Sequence, residues 1–332
     1  MGSTETNKKM AMLIYDDIFL EHDTGYGHPE SALRLKNTVA YLKASGVWEK
    51  LRIKKPRMAS FDEICAVHDA GYVKSIEQIA QRGGDWLDAD TCVSGKSWEA
   101  ALYAAGAPLT AIDEIMQPPL HPPLCKGGIK REGAFCLVRP PGHHATPTRG
   151  MGFCLFNNVA IAAKYLQRKY TVERVLIVDW DVHHGNGTQD AFYEDPSVLY
   201  FSMHRYPFYP GTGRQDETGR GKGKGFTINV PLSSDTDRGS YIKIFKDIME
   251  TRVRQFRPQF ILISAGFDAY KHDPIGGLGL ELEDFYKLTK ITMGVANACC
   301  NGRIVSCLEG GYHPTDLPKC IEQHLMALIE QG

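Results

Sequence analysis

Two acids and a histidine alternate in Asp179-Trp180-Asp181-Val182-His183, directly after the apolar run Val175-Leu176-Ile177-Val178. The run is rich in β-branched residues and reads as a buried parallel strand. Alternation along an extended segment sends Asp179, Asp181 and His183 to one side. An apolar interior does not accept two carboxylates and an imidazole on one face unless a cation or a partner offsets their desolvation. Carboxylate oxygen with imidazole nitrogen suits a divalent metal, zinc foremost. A strand end with solvated acids is the plainer reading of a lone Asp-x-His, and the rest of the chain tells against it.

Three further segments carry unusual chemistry. Arg139-Pro140-Pro141-Gly142-His143-His144 stiffens its approach with two prolines and offers two imidazoles that titrate near neutrality, fit for proton transfer. Ser264-Ala265-Gly266-Phe267-Asp268 ends another apolar run in an acid, a natural third ligand. Leu308-Glu309-Gly310-Gly311-Tyr312 sets a tyrosine on a diglycine turn, where its phenol can donate to a developing oxyanion. Each has a bland alternative: exposed histidines, a solvated acid, a packed tyrosine.

What unites them is placement. Apolar β-type runs recur at 12–15, 134–138, 175–178, 198–202, 226–230, 260–264 and 303–308. Between them lie helical patterns at 29–44, 97–116, 158–169, 240–255, 281–300 and 315–330. Such alternation predicts an α/β fold: a single open, mainly parallel β-sheet with helices on both faces. In these sheets ligands bind beyond the carboxyl ends of the strands. The loops at 139–152, 179–187, 265–274 and 309–313 each follow a predicted strand, so they should share one site. A polar tail over 1–10, expected to be disordered, precedes one domain over 11–332. The Pro-, Gly- and Lys-rich stretch 117–132 reads as a surface excursion.

Composition narrows the function classes. Lys and Arg number 38 against 39 Asp and Glu, so the basic excess of a nucleic-acid binder is missing. Nine scattered cysteines form neither a cysteine-type zinc site nor a disulfide framework. No apolar stretch approaches the roughly 20 residues needed to span a bilayer, and residues 1–9 carry no signal-peptide core. The expectation is a soluble, cytoplasmic protein with no membrane partner; oligomeric state is not legible.

Taken in order, RPPGHHA, GFCLFNN, VDWDVHHGNGTQ, FYPGTG, SAGFDA and EGGY resemble the histone deacetylase superfamily, in its class II branch and that branch's bacterial and plant relatives. The likeness runs from Gly27-His28-Pro29-Glu30 to Tyr312 and implies the open arginase–deacetylase sheet. It implies one zinc held by Asp181, His183 and Asp268, with room left for water and substrate. His144 would be the general base and then the acid. His143 would be its electrostatic partner, oriented by Asp179. Asn186 stands where some relatives carry an acid facing the second histidine, and would leave His144 less cationic. Tyr312 would hold the substrate oxygen. Phe153 and Tyr209 would wall an acyl-lysine channel floored by Gly152, and Thr91 would meet the substrate backbone at its rim. A potassium ion would sit under the zinc on Asp179, Asp181, His183, Ser202 and Met203.

Two rival readings remain in view. A binuclear, arginase-like site needs further acids around positions 185 and 266, and both are glycine. A catalytically dead scaffold that binds acylated partners would tolerate loss of a ligand or of the tyrosine, and none is lost. For substrate, acylated lysine in proteins or peptides competes with acetylated polyamines or another small acetylated amine. Polyamine-specific relatives place an acid where this chain has Ile275, which favours the acyl-lysine. The basic run 220–225 is expected to be a solvated loop near the rim, and Cys154 a buried, inert thiol.

Overall fold

The computed structural model describes residues 11–117 and 133–330. The expected tail over 1–10 and nearly all of the excursion at 117–132 lie outside them. Ten strands are present: β1 (Ala11–Ile14), β2 (Leu51–Lys54), β3 (Gly84–Trp86), β4 (Cys92–Ser94), β5 (Ala134–Cys136), β6 (Val175–Asp179), β7 (Val198–Arg205), β8 (Thr227–Leu232), β9 (Phe260–Ala265) and β10 (Ile304–Leu308). Eight of them form one sheet in the order β2-β1-β5-β10-β9-β6-β7-β8, and every neighbouring pair is parallel. Strands β3 and β4 make a small antiparallel pair beside it.

The central strands β6, β9 and β10 are buried at every position, as continuous apolar runs covered on both faces must be. Helices 97–116, 158–170, 282–300 and 317–329 supply the cover, and their inward faces join the sheet in one apolar core.

Two expected helices differ from the pattern. The first begins at Leu33 rather than Pro29, because residues 28–32 are drawn into polar contacts instead: the Glu30 amide donates to His28 Nδ1, and the Glu30 carboxylate meets Arg34 and Arg139. The run expected over 240–255 begins at Arg238 behind an Asp237 cap, then passes through a π-turn at Met249–Val253. Edge strand β2, the β3–β4 pair and the helix Ala70–Gln81 were not apparent from periodicity.

Candidate active site

Strands β5, β10, β9 and β6 are consecutive neighbours in the sheet, and the four chemistry-bearing loops leave their carboxyl ends side by side. Side-chain acceptors lash these loops together. Asp268 Oδ1 accepts from the Val182 amide at 2.9 Å, and Asp181 Oδ2 accepts from the Gly310 amide at 2.8 Å. Glu309 Oε2 accepts from the amides of Gly142 and His143 at 2.7 and 3.1 Å, while Ser264 Oγ donates to its other oxygen. Glu309 had no assigned role in the sequence, yet it ties the β10 loop to the histidine loop and to β9.

Strand β6 ends at Asp179, so its pleat does not carry the alternation to His183 as expected. Successive turns do so instead. The Asp181 amide donates to Asp179 Oδ1 and the His183 amide to Asp181 Oδ1. His183 Nδ1 then lies 3.0 Å from Asp181 Oδ1 and 3.1 Å from Asp268 Oδ2, and one donor atom from each of the three residues falls within 4.8 Å of the others. All three are buried. Burial, then the neighbouring Asp181 carboxylate, push Asp268 up to about 7, and Asp181 is held well below the ordinary carboxylate range by His143 and His183 despite its burial. Two buried carboxylates that resist ionising together are what a bound dication would relieve. The donor set, two oxygens and one nitrogen, fits zinc.

Position 266 leaves no room for a second set of ligands. A Cβ built there would stand 2.2 Å from Asp181 Oδ2, and one at Gly185 2.2 Å from Asp179 Oδ2.

The paired histidines have opposite surroundings. His143 Nδ1 sits 3.1 Å from Asp179 Oδ2, which also accepts from the Tyr200 hydroxyl at 3.0 Å. Burial disfavours its charge, but Asp181 and Asp179 outweigh that and raise it to about 10. His144 Nδ1 faces Asn186 Oδ1 at 2.9 Å. Burial, with the cationic rings of His143 and His183, pushes His144 well below the usual imidazole range. The surroundings therefore favour the protonated form of His143 and the neutral form of His144. With the amide oxygen facing Nδ1, the hydrogen of His144 resides there and Nε2 is left as the acceptor.

A channel of about 210 Å³ opens above this floor, lined by His144, Gly152, Phe153, Tyr209, Ile275 and Tyr312. Asp90, His183 and Phe208 complete its wall, with the Phe208 ring stacked on His183 at 5.1 Å. Neither Asp90 nor Phe208 was singled out from sequence, although each adjoins a residue that was. Thr91 is placed differently from expectation. It is fully buried, its hydroxyl donates to Asp90 Oδ1, and the hydroxyl oxygen of Thr91 accepts from the Phe153 amide at 3.0 Å. Phe153 has φ of 69°, a left-handed conformation unusual for a side-chain-bearing residue, so Thr91 holds the channel wall rather than the rim.

Comparison with known proteins bears on this geometry. The family model for the histone deacetylase domain matches residues 28–328. A probable deacetylase of Archaeoglobus fulgidus is 39% identical over 90% of this chain and 80% of its own length. The chloroplastic histone deacetylase 10 of Oryza sativa subsp. japonica is 37% identical, over 91% of this chain and 70% of its own. The crystal structure of the HDA15 HD domain superposes with a TM-score of 0.87 at 33% identity, covering 97% of this chain and 88% of that one. The chain belongs to the histone deacetylase family. Its sheet is accordingly the arginase–deacetylase sheet, and the match to the family spans all four loops just described.

Other expectations about this deacetylase fare unevenly. Ser202 and Met203 lie on β7, Ser202 opposite Asp179, and the Ser202 hydroxyl contacts His204 Nδ1 at 2.9 Å. Cys154 is buried, and burial raises its thiol well above the ordinary range, as an inert core cysteine requires. The basic run 220–225 does not reach the rim. It precedes the amino end of β8 and packs on Tyr193 and Glu194, where Arg220 pairs with Glu194. Beside it lies a larger depression of about 450 Å³, lined by Arg174, Phe226, Arg252 and Phe256 among others, at the end of the sheet away from the four loops described above. Among the described residues no helix is long and apolar enough to cross a membrane.

Proposed function

We propose that this deacetylase is a zinc-dependent amidohydrolase that removes acetyl, or related acyl, groups from lysine side chains of proteins or peptides. One observation carries the reading: Asp181, His183 and Asp268 converge at the floor of a narrow aromatic channel, flanked by the paired histidines His143 and His144 and by Tyr312. The ion, when bound, would activate water and polarise the amide carbonyl as a Lewis acid. His144, its Nδ1 committed to Asn186, offers Nε2 to take a proton from the attacking water and return it to the leaving amine. His143, kept cationic by Asp179 and Asp181, stabilises negative charge building beside it. The Tyr312 hydroxyl donates to the oxyanion that replaces the carbonyl.

Phe153, Phe208 and Tyr209 enclose the aliphatic stem of the substrate and keep water from it. Ile275 lines the same channel, and an apolar side chain there gives no partner to the second ammonium of a polyamine. A potassium ion on the main chain of Asp179, Asp181, His183 and Met203 with the Ser202 hydroxyl belongs to the same proposal, as a structural rather than a catalytic ion.

The test assays acetyl-lysine peptides, longer-acyl lysine peptides and acetylated polyamines side by side, with metal analysis. The expected result is about one zinc per chain, peptide turnover abolished by chelation and restored by zinc, and slower turnover of the polyamine. Tyr312→Phe should cost roughly 10²–10³-fold in kcat with metal retained, the usual effect of deleting one oxyanion donor. Zinc-loaded protein that binds acyl-lysine peptides without hydrolysing them would leave the non-catalytic scaffold standing instead.

A further inference from the structure

We propose that Asp273 is a positioning residue that ties the channel wall at Ile275 to the seat of Tyr312; this rests on the deacetylase mechanism above. The Tyr312 loop has little means of holding itself. It begins with two glycines, and Gly311 has φ of 118°, so neither contributes side-chain contacts. What fixes the tyrosine comes from elsewhere. Arg34 lies over its ring at 4.8 Å and donates to the Gly311 and Glu309 carbonyls. Asp273 takes its backbone: Oδ2 accepts from the Tyr312 amide at 2.6 Å. The other oxygen, Oδ1, accepts from the amides of Ile275 at 2.9 Å and Gly276 at 3.0 Å.

One carboxylate thus spans two loops, one bearing the proposed oxyanion donor and one bearing a wall residue of the channel. The second loop packs closely against the backbone of Asp268. The Gly277 amide donates to the Asp268 carbonyl, and a Cβ at Gly276 would stand 2.3 Å from that same oxygen. Tyr312 is therefore referenced, through Asp273, to the loop that also carries a zinc ligand. All three partners of the carboxylate are N–H donors, so both oxygens must accept. Asparagine keeps the shape but has one oxygen; its amide hydrogens would face a donor on whichever side they lay, and one arm would be lost.

The experiment compares the zinc-loaded full chain as wild type, D273N, Y312F and the double variant on an acetyl-lysine peptide. D273N should lower kcat at least tenfold, leave KM within twofold, and leave zinc content unchanged. Because Asp273 acts through Tyr312, the double variant should be no more than twofold slower than Y312F alone. Wild-type kcat in D273N would overturn the proposal, and so would a double variant slowed by the full product of the two single effects. Should D273N fail to fold, amide hydrogen exchange on the wild type decides: Tyr312 should exchange at least tenfold more slowly than an unbonded loop amide, and exchange at the free rate refutes the contact. A wild type inactive on every acyl amine would defeat the functional reading instead, leaving the exchange result to judge the tie itself.

Discussion

Substituting Gly266 by alanine tests whether Asp181 stands where a metal needs it. The new Cβ would lie 2.2 Å from Asp181 Oδ2 and 2.6 Å from its Cα and Cβ, whereas ordinary contact begins at 3.4 Å. A gap of about 1.2 Å must open, and metal–ligand distances tolerate only about 0.2 Å. Asp181 has no compliant way to yield, since Oδ2 also accepts from Gly310 and Oδ1 from His183. Misplacement of a reacting group by about 1 Å costs on the order of 10²-fold in rate. We therefore expect Gly266→Ala to lower kcat/KM by at least that factor and to lose zinc on dialysis against a chelator that leaves the wild type loaded. Gly294→Ala is the control: its Cβ meets nothing within 4 Å on an exposed helical position, so it should keep full activity and add about 0.5–1 kcal/mol of stability. A Gly266→Ala enzyme with wild-type kcat/KM and full zinc would refute the reasoning, because Asp181 could not then be an inflexible ligand.

Thr91→Val keeps the shape but removes the acceptor for the Phe153 amide; we expect a loss of about 1–2 kcal/mol in urea unfolding and a raised KM for acyl-lysine peptide, since Phe153 must hold its left-handed backbone unaided. Glu30→Gln should destabilise the fold by roughly 3–5 kcal/mol, as it leaves the buried guanidiniums of Arg34 and Arg139 uncompensated; an unchanged urea midpoint would contradict this. Acid should weaken the fold well above the carboxylate range. Burial lowers His22 and His68 to about 4 and His324 to about 3, so below pH 6.5 the unfolded chain binds protons that the folded one refuses. Each of these three should then subtract up to about 1.4 kcal/mol per pH unit between 6.5 and 4, and a His324→Gln chain whose urea midpoint changes from pH 7.5 to 5.5 just as the wild type's does would rule that out for His324.

How much of this was legible in the sequence follows from what each feature depends on. Central strands such as Val175–Asp179 and Phe260–Ala265 announce themselves because burial on both faces demands unbroken apolar runs. Edge strand Leu51–Lys54 interleaves Arg52 and Lys54 with its apolar residues and carries no such mark. The donors Asp181, His183 and Asp268 were readable because their types are costly to bury without a purpose. The residues that hold those donors in place were not, because their role lies in a long-range acceptor rather than in chemistry of their own. Glu309 grips amides 166 and 167 positions away, Asp273 one that is 39 away, and the Thr91 hydroxyl receives one 62 away. Reading Glu309 and Asp273 from sequence would require knowing beforehand that β5, β10 and β9 lie side by side, since that adjacency brings their loops within reach of one carboxylate; Thr91 reaches Phe153 from beside the separate β3–β4 pair. An aspartate or threonine in a loop is by default a turn-former; only long-range contacts in the folded chain turn Asp273 and Thr91, with Glu309, into braces of the candidate site.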